Sequence, residues 1–415
     1  LKDSNIKWRL YKNNTLLSSG NFSPSFDVME NNRMVLTTTQ QDLTTTASTY
    51  VFLMWISESC TGDIANCTNS DNQFKYVGKS FSFNIKLETA TKSKKDLTRK
   101  ASATGTIVNL YNNATKTSVT NNSITYQYDT THSLMKDVGG NIRYYGASPN
   151  NYIYFNCSDY SNQSSSTCET WRIIGVFDGR IKLIRGSQIG SYSWDNKNTS
   201  TGAESNYGKN DWTDARLMKL LNPSYESETT GGSLYYNAKS GNCYAGQNNA
   251  TTTCNFTSTG IKNDTTRNLI SNTTYYLGGW NSTSVYPNQI YEYERGTTVY
   301  TERPTIWQGK IALPYPSDYG YATDLGKCSQ TLYNYDDSIC TSNNWMKSIL
   351  APNYGWLLTT SSSDSYSTWP VGSRGFVGSG ITYNTYGIVP VLSLSSELSI
   401  KAGTGSSSEP YQLSA

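Results

Sequence analysis

The residues with the most chemistry to offer are eight cysteines, and they fall into four neighbouring couples. Cys60 and Cys67, Cys157 and Cys168, Cys243 and Cys254, and Cys328 and Cys340 are separated by 7, 11, 11 and 12 residues. Long cysteine-free stretches lie between the couples. Two chemistries use cysteines in this way. Zinc needs Cys-x2-4-Cys spacings or added histidines; the couples are too wide, and His132 is the only histidine. Disulfides need only proximity. Sequence alone does not settle their connectivity. Closing a short loop costs the least chain entropy, so pairing within each couple is expected, each bridge contributing roughly 2 to 3 kcal/mol. Four such bridges place the protein in an oxidising setting, extracellular or at a cell surface.

Other reactive groups are sparse. His132 sits in YDTTHSLMKD beside no nucleophile motif, which argues against a Ser-His-Asp or Cys-His site. Paired cysteines leave no thiolate. SRGFVGSG (373 to 380) has the glycines of a phosphate loop but no lysine, and reads as turns. Glu292 and Glu294 alternate in YEYER, as on one face of a strand, and Asp336 and Asp337 are adjacent. Neither couple fixes a glycosidase pair. TGDIANCTNSDNQ (61 to 73) offers Asp63, Asn66 and Asp71 without EF-hand spacing. The expectation is a protein that is not an enzyme and carries no cofactor or metal.

Aromatic residues are the remaining candidates. Tyr275, Tyr276, Trp280, Tyr286, Tyr291, Tyr293, Tyr366 and Trp369 lie in polar, loop-rich surroundings. Such rings stack on sugars and anchor protein interfaces, or else plug small cores beneath long loops. Tyr276, Trp280, Tyr366 and Trp369 are the binding candidates, and Ser361 to Gly380 is the first place to look, because loops on a rigid scaffold carry recognition.

These residues must be held by a chain of 415 residues that is 36% hydrophobic, enough for two or three cores. A net charge of +3 gives no footprint for nucleic acid. No apolar run reaches the length of a membrane span. The absence of an initiating Met and of a signal peptide is read as processing or trimming before Leu1.

Residues 1 to 90 are expected to form an antiparallel β-sandwich. Its strands are IKWRLYKN (6 to 13), RMVLTTT (33 to 39), TYVFLMWIS (49 to 57) and KSFSFNIKLE (79 to 88), separated by turns at Asn13-Asn14, Ser19-Gly20 and Asn31-Asn32. Such sandwiches usually need about seven strands, so this one is short, and a neighbouring chain or a segment before Leu1 is expected to supply the rest. Residues 91 to 139 read as a basic linker and a lead-in segment, with a short helix near LYNNATKTS. Residues 140 to 415 read as a larger, disulfide-stapled α+β domain. WRIIGVF and RIKLIRG are strands joined at Asp178-Gly179, and DWTDARLMKLLNP (211 to 223) is the clearest helix, capped by Asp211 or Thr213. Residues 265 to 272 and 343 to 350 are shorter helices. KIALPYP, GWLLTT, GIVPVLSLS and LSIKAG return to strand.

Trp171-Arg172-Ile173-Ile174, Trp212 to Asn222 (WTDARLMKLLN), Gly355 to Thr359 (GWLLT) and Gly387 to Leu392 (GIVPVL) resemble, in order and spacing, a family of uncharacterised domains in surface-exposed and secreted proteins of Firmicutes. Val389 stands where that family usually has an arginine. The resemblance implies a C-type-lectin-like fold, although the sugar-calcium signatures Glu-Pro-Asn and Trp-Asn-Asp are missing. Residues 1 to 90 are similar to the β-sandwiches of exported Gram-positive matrix fibres, which assemble by lending a strand to the next subunit. The implied function is a subunit of an extracellular filament or surface coat, self-associating by strand donation and displaying its larger domain. The alternative is a monomeric adhesin that binds glycans or another surface protein.

Overall fold

The computed structural model describes residues 6–21, 28–29, 33–34, 49–56, 103–396 and 398–414. Asn13 and Asn14, both at positive φ, reverse the chain between strands Ile6–Lys12 and Thr15–Asn21, as a two-residue hairpin requires. Ile6–Lys12 also pairs antiparallel with Tyr50–Ile56, so it is the middle of three strands. Trp8 and Leu10 are buried on one face, where Trp8 lies 6.3 Å from the ring of Phe52. Thr15–Asn21 was not expected as a strand, and Ser19-Gly20 lies inside it instead of turning the chain. Pairing with a preformed neighbour overrides weak local propensity. A short pair, Val28–Met29 with Arg33–Met34, also belongs to this unit. The expected strand at 79 to 88, the Asn31-Asn32 turn, the Cys60–Cys67 bridge and the 61 to 73 loop lie outside the described residues. The antiparallel sheet is present; the described residues do not test a second layer of a sandwich.

The chain divides at a different point from the one composition indicated. Its two compact units are Leu1–Ala101 and Ser102–Ala415, so much of the expected lead-in segment belongs to the larger unit. The helix Ala103–Asn113 buries Ala103, Ile107 and Tyr111, a four-residue spacing that forms one stripe. Those residues join the main core. Strands Thr117–Asn121, Ile124–Asp129 and Leu134–Lys136 then extend the main sheet. Two of their buried residues, Tyr126 and Tyr128, are tyrosines, which an apolar count underrates. The turn at Asn122-Ser123, with φ of 45° and 62°, was the legible signal.

The main sheet runs Ile311–Ala312, Val391–Ser393, Arg180–Arg185, Glu169–Phe177, Ile142–Tyr144, Leu134–Lys136, Ile124–Asp129, Thr117–Asn121, with Tyr152–Phe155 also on Glu169–Phe177. All its pairings are antiparallel. Asp178 and Gly179, both at positive φ, make the expected hairpin. The central strands are buried on both faces: Ile181 and Leu183 enter one core, Ile184 the other. That is why WRIIGV and IKLI read as unbroken apolar runs. The second core is closed by a five-stranded sheet, Ser191–Ser193, Thr385–Gly387, Gly355–Thr360, Ser367–Val371, Gly380–Ile381. The unit is mainly β with short helices, an α+β arrangement.

The clearest predicted helix is shorter than its pattern and spans Arg216–Leu221. Asp211 instead makes a turn, accepting from the Thr213 N–H and hydroxyl. The cap comes from a distance: Asp195 Oδ1 accepts from the Arg216 N–H at 3.1 Å. The other two helices are also shortened, to Asp264–Leu269 and Lys347–Leu350. YEYER is not a strand. It lies in and just beyond the helix Pro287–Glu294, with Pro287 in the first turn and Ile290 and Glu294 buried on one face. Period-two alternation over five residues was outweighed by proline at a helix start.

Candidate functional site

Three of the four cysteine couples are bonded as expected, Cys157–Cys168, Cys243–Cys254 and Cys328–Cys340, with Cα separations of 3.9, 5.8 and 4.8 Å. The Cys243–Cys254 loop is more than a staple. Its two cysteines, Tyr244 and Phe256 are all buried, and its arms pair as the hairpin Ser240–Cys243 with Thr252–Asn255. The polar tip is held above a packed base.

The groups that might have been catalytic are not brought together. His132 Nδ1 lies 2.7 Å from Asp129 Oδ2 in a turn. Asp337 accepts from the Ile339 N–H at the start of a helix, and Asp336 pairs with Arg374 at 3.4 Å. Glu292 is exposed and Glu294 fully buried, so they are no pair. Glu294 accepts from the Ser317 N–H (2.9 Å) and hydroxyl (2.5 Å) and from Arg295 (3.2 Å). Burial pushes its carboxyl up to about 7, against the pull of Arg295 and Ser317. Nearby, Arg143 bonds Asp137 (2.5 Å) and Asp318 (2.8 Å), and Lys182 bonds Asp318 (2.5 Å), all buried. Burial alone would raise the Asp318 carboxyl, but Lys182 and Arg143 hold it below the usual range. Two cations and two carboxylates balance there, with the Arg143 guanidinium 4.5 Å over the Phe177 ring. This knot ties the sheet to the helix Pro316–Tyr321. Among the described residues no cluster of His, Cys, Asp and Glu could hold a metal.

The four aromatic candidates separate. Trp369 is buried in the second core and makes no surface. Trp280 is stacked on Tyr293 at 4.0 Å, nearly parallel, and its backbone bridges to Ser361. Tyr276 is half-buried with Arg295 5.3 Å over its ring. Tyr366 alone joins a surface cluster. Its ring lies 5.1 Å from Tyr207, inclined by 55°, and Tyr207 lies 6.0 Å from Tyr383. Tyr207 is 43% exposed. Tyr207 and Tyr383 were missed because nothing in their local sequence links positions so far apart.

One residue fixes this cluster. Thr382 donates its hydroxyl to the Tyr207 carbonyl (2.9 Å) and its N–H to the Tyr366 carbonyl (2.9 Å). Gly208, at φ 92°, allows the approach, since a Cβ there would sit 2.0 Å from Thr382 Oγ1. Asp364 accepts from the Tyr366 and Ser367 N–H groups. Arg303 grips both carboxylate oxygens of Glu204 at 2.8 and 3.0 Å and reaches the Ser365 carbonyl. That bidentate bond holds the Glu204 carboxyl below its ordinary range. Beside the cluster is a small hollow of about 10 Å³, room for about one water molecule, lined by Asn210, Asp211, Trp212, Leu277, Arg303 and Thr360, among others.

The smaller unit presents a different surface. Its strand Tyr50–Ile56 is apolar on both sides. Phe52 and Met54 register with Leu10 and Trp8, while Val51, Leu53 and Trp55 register with Tyr11, Arg9 and Lys7 on the other face. On that second face Leu16, Val51, Leu53 and Trp55 are 37 to 49% exposed.

No protein-family model, curated protein or solved structure matches this chain. The four motif segments carrying the family resemblance are chiefly core: Trp171, Ile173, Trp212, Leu217, Trp356, Leu357, Val389 and Leu392 are all buried. Among the described residues no helix is long and apolar enough to cross a membrane.

Proposed function

We propose that the protein is a structural component of an extracellular filament or surface coat, assembling through its N-terminal unit and displaying a stapled, lectin-like larger unit. The observation that carries this reading is the uncovered apolar face of the N-terminal sheet. Residues apolar on both sides of one strand belong to a sheet covered on both faces, and exposed contiguous apolar surface marks an association site. A second copy of the chain, lending or receiving a strand, is the occupant that also fits the short count of strands expected from the sequence of residues 1 to 90. Three disulfides and the extensive buried core of the larger unit suit a body held outside the cell.

The test is negative-stain electron microscopy and light scattering of the non-reduced chain, wild type against Leu53→Lys. Regular filaments or discrete oligomers in the wild type, lost on substitution, support the reading. A wild-type chain monomeric at high micromolar concentration sinks it.

A further inference from the structure

We propose that Tyr207, Tyr366 and Tyr383 form a surface binding site for a neutral oligosaccharide, the rings taking the apolar face of a pyranose. This goes beyond assembly through the N-terminal unit and does not depend on it.

Two features carry the assignment. The first is preorganisation. Thr382 ties the backbones of Tyr207 and Tyr366 together, and Gly208 and Asp364 fix the loops on either side, so binding need not order the platform. Second, the fringe offers acceptors. The Glu204 side chain is 44% exposed beside Arg303, and the second oxygen of Asp364 is unused among the described residues.

Ligand chemistry follows from the fringe. A saccharide presents apolar C–H faces to the rings and hydroxyl donors to Glu204 and Asp364. A proline-rich peptide also stacks on tyrosine, but proline has no N–H, so it would face these carboxylates with acceptors only. A strongly acidic glycan is disfavoured because both guanidinium arms of Arg303 are already engaged by Glu204. A neutral chain remains.

The experiment uses the full, non-reduced chain against a panel of neutral gluco-, manno-, galacto- and N-acetylglucosamine oligosaccharides, with a proline decamer alongside. The wild type is expected to bind at least one oligosaccharide, with saturation-transfer NMR strongest at the ring C–H protons of one pyranose face. Tyr207→Ala and Tyr366→Ala should each weaken binding about tenfold, Tyr366→Phe less than about threefold. Tyr333→Ala, at a 54% exposed tyrosine outside the cluster, should leave it unchanged. No oligosaccharide bound by the wild type, saturation confined to hydroxyl-bearing edges, binding indifferent to Tyr207 and Tyr366, or preference for the decamer would each overturn the assignment. A monomeric chain that still binds sugar would sink only the assembly reading.

Discussion

Replacing Glu294 with glutamine should change how the larger unit responds to pH. Glu294 is fully buried, and its carboxyl titrates at about 7 against 4.5 for an ordinary glutamate. A raised pKa in the folded state means that the proton stabilises the fold. The contribution is fully present below about pH 4.5 and is lost as pH rises through 7. A tenfold change in proton affinity is worth about 1.36 kcal/mol. Ionisation in both states therefore removes about 3 kcal/mol of stability, most of it between pH 5 and 8. Glutamine keeps the acceptor for the Ser317 N–H and never ionises. Urea unfolding of the non-reduced chain at pH 5, 6, 7 and 8 reads the difference. The wild type should lose about 2 to 3 kcal/mol across this range and E294Q less than about 1 kcal/mol. Asp195, also buried with its carboxyl raised by burial, would leave a residual slope of the same sign in both proteins. Parallel pH profiles for the two proteins would refute the argument, since Asp195 is common to both.

Two further perturbations test what holds the larger unit together. Asp318→Asn leaves Lys182 and Arg143 buried with only Asp137, and should cost about 3 to 5 kcal/mol at pH 7. Adding Lys182→Met should return part of that loss, and a single-variant cost below about 1 kcal/mol would show that the knot is not a closed unit. Cys243→Ser with Cys254→Ser should cost about 2 to 3 kcal/mol in denaturant while near-ultraviolet circular dichroism stays native, because Phe256 and Tyr244 still pack beneath the loop. Loss of the native spectrum would mean that the bridge, and not that packing, positions the base.

Part of this architecture was legible in order along the chain. Cysteine pairing was, because a short loop closes at low entropic cost whatever the rest of the fold does. So was the Glu169–Phe177 and Arg180–Arg185 hairpin, whose Asp178-Gly179 turn has a local steric requirement. The tyrosine-rich strands from 117 to 136 were not, because tyrosine counts as polar or apolar depending on whether a neighbouring sheet covers its ring. YEYER failed for a related reason: alternation over five residues is compatible with both periods, and Pro287 decided between them.

The sequence by itself determined the three described bridges, the central β-hairpin and the scarcity of catalytic groups along the chain, all properties of residue type or of neighbours within about a dozen positions. Tertiary structure alone decided which aromatic residues face solvent. Trp369 and Tyr366 are three residues apart in the same polar stretch, yet the first is sealed in a core and the second meets Tyr207 from 159 positions earlier. It also decided the fate of Glu294, whose proton affinity is set by burial against Ser317 and Arg295. Exposure and charge in this protein are products of long-range packing, which no local pattern encodes.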